Sequence, residues 1–149
     1  MIQFSPAKHK DLPAVAALEQ ELYPQPWSEK DFEELLEQEA FWFWVAKQEE
    51  EIVGYLVCQV VANEAELHNI AVAKKIQRQG VGKFLLQKLI EALKQKEVQE
   101  IYLMVRASNV SARKLYEQFG FKKVGVRKNY YHSPNEEALI YRLNFLPRR

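Results

Sequence analysis

Three strand-like apolar runs, residues 41–47, 52–61 and 64–72, follow one another with only the polar turn 48–51 and Ala62-Asn63 between them. Then the period changes. Phe84, Leu85, Leu86, Leu89, Ile90 and Leu93 recur at the spacing of an amphipathic helix, and residues 101–105 return to a buried strand. Consecutive strands with such short connections pair as an antiparallel meander. A strand, a helix and a strand in that order require a right-handed parallel crossover. One sheet must hold both arrangements, so the expected class is α/β (α+β), with a mixed, mostly antiparallel sheet flanked by helices.

The outer segments fit this plan. A short strand at 2–5 precedes Asp11, which is placed to cap a helix carrying Leu12, Val15, Leu18 and Leu22. Pro24 and Pro26 break the chain into a loop, and Ser28 and Asp31 have capping-box spacing ahead of a second short helix with Phe32, Leu35 and Leu36. Further on, Asn109 or Ser111 caps a helix through Phe119 that Gly120 stops. Two more strands, 121–127 and 138–143, flank a polar excursion. No repeat, linker or composition shift divides the chain, so residues 1–149 read as a single domain, long enough for a two-sided core.

Charge and composition exclude several classes. Lysine plus arginine (21) nearly balances aspartate plus glutamate (20), and a net charge of +1 gives no electrostatic reason for bulk nucleic-acid binding. The first ten residues lack the apolar centre of a signal peptide, and no apolar run approaches the roughly 20 residues that span a bilayer. Cys58, the only cysteine, rules out an intramolecular disulfide and lies inside the apolar run 52–61, where burial is expected. A cytoplasmic protein is expected, a monomer or weak dimer with no nucleic-acid, membrane or metal partner.

The chemistry concentrates in residues 69–83, Asn-Ile-Ala-Val-Ala-Lys-Lys-Ile-Gln-Arg-Gln-Gly-Val-Gly-Lys. A strand ends in a loop, the loop carries Gly80 and Gly82, and a long helix begins. Glycines there let the backbone approach a ligand, while the free N–H groups and dipole of the first turn favour an anion such as a pyrophosphate. The Gly-Lys-Ser/Thr ending of a P-loop and the third glycine of a dinucleotide fingerprint are both missing. Two nearby glycines by themselves also fit a plain turn.

The full string is more specific. Gln77-x-x-Gly80-x-Gly82 after Ile70-Ala71-Val72 resembles the acetyl-CoA pyrophosphate loop of the GNAT acetyltransferase superfamily. Val105-Arg106-Ala107-Ser108-Asn109, then Leu115-Tyr116-Glu117-x-Phe119-Gly120-Phe121, resembles the second cofactor half of the same fold, and order and spacing match along nearly the whole chain. Pro26-Trp27-Ser28, Asn69-Ile70-Ala71-Val72, Arg106-Ala107-Ser108-Asn109 and Asn129-Tyr130-Tyr131 are similar to the RimI branch, the bacterial ribosomal-protein alanine N-acetyltransferases. This resemblance implies the GNAT fold and acetyl transfer from acetyl-CoA to a protein N-terminal amine, such as the N-terminal alanine of a ribosomal protein. A lysine or small-amine acetyltransferase, or a silent acyl-CoA-binding module, would carry the same cofactor motifs.

By the same resemblance, Ile70, Ala71 and Val72 align the pantetheine arm, and backbone groups of Arg78, Gln79, Gly80, Val81, Gly82 and Lys83 cradle the pyrophosphate. Lys74 and Lys75 read better as solvated surface charge. Asn109 contacts CoA and also fits a helix N-cap. Tyr116 matches the general acid toward the departing thiolate, a proton transfer between groups of similar basicity. Trp27, Tyr130 and Tyr131 lie in the two loops that flank the acceptor.

At one point the chain departs from the pattern. RimI enzymes carry a glutamate before Val105-Arg106, and here the residue is Met104, which accepts no proton. The general base is expected to be Glu66, on the strand leading into residues 69–72, where strand alternation places it on one face with His68. An α-amine of pKa near 8 needs only modest help from such a base.

Overall fold

The computed structural model describes residues 1–132 and 134–145. Seven strands form one sheet in the order β1-β2-β3-β4-β5-β7-β6. They are β1 (Ile2–Pro6), β2 (Phe41–Gln48), β3 (Glu51–Val61), β4 (Glu64–Val72), β5 (Glu100–Arg106), β6 (Lys122–Tyr131) and β7 (Glu136–Asn144). The helices are α1 (Leu12–Leu22), α2 (Glu29–Leu36), α3 (Val81–Gln95) and α4 (Val110–Gln118). As the two hydrophobic periods require, β2, β3 and β4 pair antiparallel and β4 pairs parallel to β5. Among the described residues no helix is long and apolar enough to cross a membrane.

Each helix closes one side of the sheet. Cross-strand partners share a face, so the contacts of one residue assign those of its neighbours. A Cβ on Gly54 would lie 3.4 Å from Leu85 of α3, which places Gly54 and its partner Val72 on the α3 side. Tyr55 faces the other way, with its ring 5.6 Å from Phe32 of α2. Leu85, Leu86, Leu89 and Leu93 bury one stripe of α3 completely, the arrangement that its apolar spacing demands.

Two local expectations change. The Asp11 side chain does not cap α1. Its Oδ2 accepts the Lys8 N–H at 2.9 Å, bracing the 3-10 turn His9–Asp11, and its Oδ1 pairs with Lys47 at 3.2 Å. Tyr130 and Tyr131 stand inside β6 and not in a loop, because a register shift between Arg127 and Tyr131 lets the strand continue until Tyr131 meets Glu136. The Ser28–Asp31 capping box forms in both directions, at 3.1 and 2.8 Å, and Cys58 is buried.

Candidate active site

The cleft begins where β4 and β5 part. Their parallel register runs from Glu64↔Glu100 to Leu67↔Leu103 and stops. Beyond it, residues 69–72 are paired only with β3, and Met104, Val105 and Arg106 only with β7. A bulge marks the parting. Val57 opposes Asn69 while Cys58 opposes Leu67, so His68 is the extra residue. The bulge keeps Glu66, His68 and Asn69 all toward the α1–α2 side, while Ile70 and Val72, opposite Leu56 and Gly54, face α3.

On the α3 side the opening ends at the loop before α3. Gly80 is the N-cap, with φ +84° and no side chain over the helix end. Phe84 N–H is the first to bond back, to Gly80 O at 2.9 Å. The N–H groups of Val81, Gly82 and Lys83 therefore have no intrahelical acceptor. Arg78 also takes positive φ (67°), a second left-handed residue in this loop. Gln77 Nε2 donates to Val72 O at 3.0 Å, tying this loop to the end of β4. Lys75 is paired with Glu51, which fits a surface charge.

Asn109 caps α4, its Oδ1 accepting from Ala112 N–H at 3.2 Å. The Nδ2 group donates to no protein atom among the described residues. Tyr116 follows two turns later. Only 6% of it is exposed, its ring packing on Phe121 and Tyr141 at 5.7 and 6.4 Å. Its hydroxyl bonds to no protein group among the described residues, yet no buried side-chain polar atom is left wholly enclosed without a partner. Among the described residues the oxygen is therefore not sealed in without a partner. Burial raises its pKa, and the neighbouring Tyr23 and Tyr131 phenols raise it further. Burial also raises Tyr23 to about 12, with Glu19 and Tyr131 adding to the shift. The Tyr23 hydroxyl donates to Ile70 O at 3.4 Å, just beyond the point where β4 leaves β5.

One central residue was not singled out from the sequence. Glu19 of α1 is 3% exposed. Its Oε2 accepts the Trp27 N–H at 3.1 Å, and its Oε1 accepts the Asn69 amide at 3.1 Å and the Tyr55 hydroxyl. A signal existed, because Glu19 falls on the stripe of Leu12, Val15 and Leu22, where an acid has no place unless it is partnered. Trp27 itself packs its ring on Phe32 at 5.5 Å.

Glu66 stands one residue pair before the parting, opposite Gln59 on β3 and Tyr102 on β5. It is 47% exposed, and His68 Nδ1 is 3.9 Å away. Together with Gln59, Glu64 and Tyr102 it lines a groove of about 210 Å³. Met104 alternates with Tyr102 and Arg106 on this face of β5, partly buried. A larger hollow of about 610 Å³, between α1 and the β2–β3 turn, lies away from the parted strands. Two ion pairs lie along it, Asp11 with Lys47 and Glu51 with Lys75. Among the described residues no group of three or more His, Cys, Asp or Glu side chains is placed to hold a metal.

Two strands that separate beside an open helix N-terminus, with the Tyr23 hydroxyl donating to Ile70 O at 3.4 Å beyond the separation, have the layout of an N-acetyltransferase fold. The chain belongs to the acetyltransferase (GNAT) family, whose model matches residues 12–121. It is 41% identical over 135 residues to the [ribosomal protein bS18]-alanine N-acetyltransferase of Escherichia coli, covering 89% of this chain and 90% of that one. The Haemophilus influenzae enzyme of the same name is 50% identical over 93 residues, 60% of this chain and 63% of its own length. The crystal structure of the ribosomal-protein-S18-alanine N-acetyltransferase from E. coli superposes with a TM-score of 0.92 at 38% identity, covering 100% of this chain and 97% of that one.

Proposed function

We propose that this chain transfers the acetyl group of acetyl-CoA to the N-terminal α-amine of a protein, the N-terminal alanine of a ribosomal protein. The observation that carries this reading is the parting of β4 from β5 after Leu67↔Leu103, in a chain 41% identical to the E. coli enzyme that bears this activity in its name.

Acetyl-CoA supplies an activated thioester. Backbone groups of Ile70, Ala71 and Val72, on the unpaired side of β4, hold its arm as an added strand. Arg78, Gln79, Gly80, Val81, Gly82 and Lys83 receive the pyrophosphate on the open end of α3, and Asn109 adds its free amide. The thioester is thereby held at the parting, with Tyr116 on one side and the α1–α2 face on the other. The amine arrives from that face, between Trp27 and the Tyr130–Tyr131 pair. As the new C–N bond forms, the amine loses a proton to Glu66, directly or through one water. As the C–S bond breaks, Tyr116 gives its phenolic proton to the thiolate. Met104 has no part in proton transfer.

The test is a comparison of two peptides with acetyl-CoA. A peptide beginning with alanine is acetylated faster than an N-terminally blocked peptide carrying an internal lysine. Mass spectrometry that finds acetyl groups only on lysine side chains overturns the N-terminal assignment. Absence of thiol release with every amine tried overturns catalysis itself.

A further inference from the structure

The stretch Val105-Arg106-Ala107-Ser108-Asn109 belongs by motif to the cofactor half, yet its Arg106 side chain points away from the cofactor loop. Arg106 is paired with Ala138 of β7, on the α1–α2 face of the sheet. From there its guanidinium reaches the turn that joins β6 to β7. Nη2 donates to His132 O at 3.1 Å, and Nη1 donates to Pro134 O at 3.1 Å and to Glu136 Oε1 at 3.3 Å. The same planar group lies 4.4 Å over the Tyr131 ring. Glu136 completes the junction, accepting the Ser108 N–H and, at 2.9 Å, the Ser108 hydroxyl. One fork therefore binds two carbonyls, a carboxylate and an aromatic face, a set that only guanidinium geometry satisfies together.

We infer that Arg106, locked by Glu136 and Ser108, is a positioning residue for the acceptor. It closes the β6–β7 turn against the end of β5 and sets Tyr131 as a fixed wall of the cleft. The inference rests on the acceptor reading given above, because it gives this turn to the peptide side. Without the clamp Tyr131 stands on a strand whose register is already shifted, between Arg127 and Tyr131. The acceptor then has to order the wall as it binds, which lowers its affinity and leaves the cofactor loop, on the other side of the sheet, unaffected.

The experiment compares wild type with Arg106→Gln, Arg106→Lys and Glu136→Gln in three readouts. Acetyl-CoA Kd is measured by calorimetry, peptide KM and kcat by thiol release, and hydrogen exchange over residues 129–136 without acceptor. Arg106→Gln is expected to raise peptide KM on the order of tenfold, the loss of one charged hydrogen bond's worth of order. Acetyl-CoA Kd stays within about twofold, which also shows that the variant is folded, and exchange in 129–136 quickens. Arg106→Lys remains impaired in KM, since an ammonium cannot span both carbonyls and the ring. A weakened acetyl-CoA Kd with unchanged peptide KM overturns the inference and returns Arg106 to the cofactor. Wild-type exchange in Arg106→Gln, or full recovery with lysine, overturns it as well. If wild type acetylates no peptide N-terminus, the acceptor reading has failed. The exchange readout still decides whether Arg106 clamps the turn.

Discussion

The Glu19 carboxylate accepts the Trp27 N–H at 3.1 Å and the Asn69 amide at 3.1 Å. It joins the chain segment that leaves α1 to the strand that leaves the β4–β5 pair. Two walls of the cleft thus share one buried anion. Glu19→Ala strands the buried Tyr55 hydroxyl without an acceptor, a cost of about 1–3 kcal/mol, and takes the acceptor from the partly buried Asn69 amide as well. Chemical denaturation should show a fall of that order. Glu19→Gln keeps the volume but turns an amide toward one donor, so it should be milder in stability while still raising peptide KM. Stability equal to wild type in Glu19→Ala would remove the carboxylate from this structural role.

Gly80 separates two effects that the sequence merged. Among the described residues a Cβ there meets no atom within 4 Å, so crowding by them does not explain the glycine. Its φ of +84° does. Left-handed backbone costs an ordinary L-residue roughly 1–2 kcal/mol, and asparagine less. Gly80→Val should lose stability and weaken acetyl-CoA binding at least tenfold, since an added side chain occupies the space in front of the helix end. Gly80→Asn should keep most stability and still bind the cofactor less tightly. Calorimetric affinities equal to wild type in both would place the pyrophosphate elsewhere.

Tyr116→Phe preserves the ring packing on Phe121 and Tyr141 and deletes only the donor. We expect kcat to fall by about tenfold to a few hundredfold, with little change in acetyl-CoA affinity. The direction of the pKa shift fixes the pH behaviour. The donor is the neutral phenol, and a raised pKa keeps it neutral beyond the ordinary value near 10. The wild-type kcat profile should therefore show no alkaline decline from this group up to roughly pH 10. A profile that falls near pH 8 or 9 in wild type and not in Tyr116→Phe would contradict this.

Glu66→Gln tests the base. A free α-amine titrates near pH 8, so below that value the amine must give up a proton and above it need not. The loss of kcat/KM should be greatest at low pH and shrink as pH rises. His68→Gln, made beside it because His68 Nδ1 is 3.9 Å away, should change the profile less. A Glu66→Gln profile that overlays wild type removes Glu66. A loss confined to His68→Gln transfers the role to the histidine. Met104→Glu, on the same face of β5 as Tyr102 and Arg106, should partly rescue Glu66→Gln at low pH.

Much of this architecture is written in local pattern. The meander of β2, β3 and β4, the crossover through α3, the Ser28–Asp31 box and the glycine before α3 follow from period and turn chemistry within a few residues. Those forces are short-ranged, so the sequence by itself determined the order of elements and the glycine loop that opens α3. Partners distant in the chain decided the rest. Glu19 is buried only because Tyr55 and Asn69, 36 and 50 residues away, bring donors to it. Asp11 gives up its helix cap because Lys8 and Lys47 hold its carboxylate. Arg106 serves the β6–β7 turn because β7 carries Glu136 to it from 30 residues downstream. A charged side chain takes its role from whichever groups satisfy it after the chain has closed, and no local pattern names those groups.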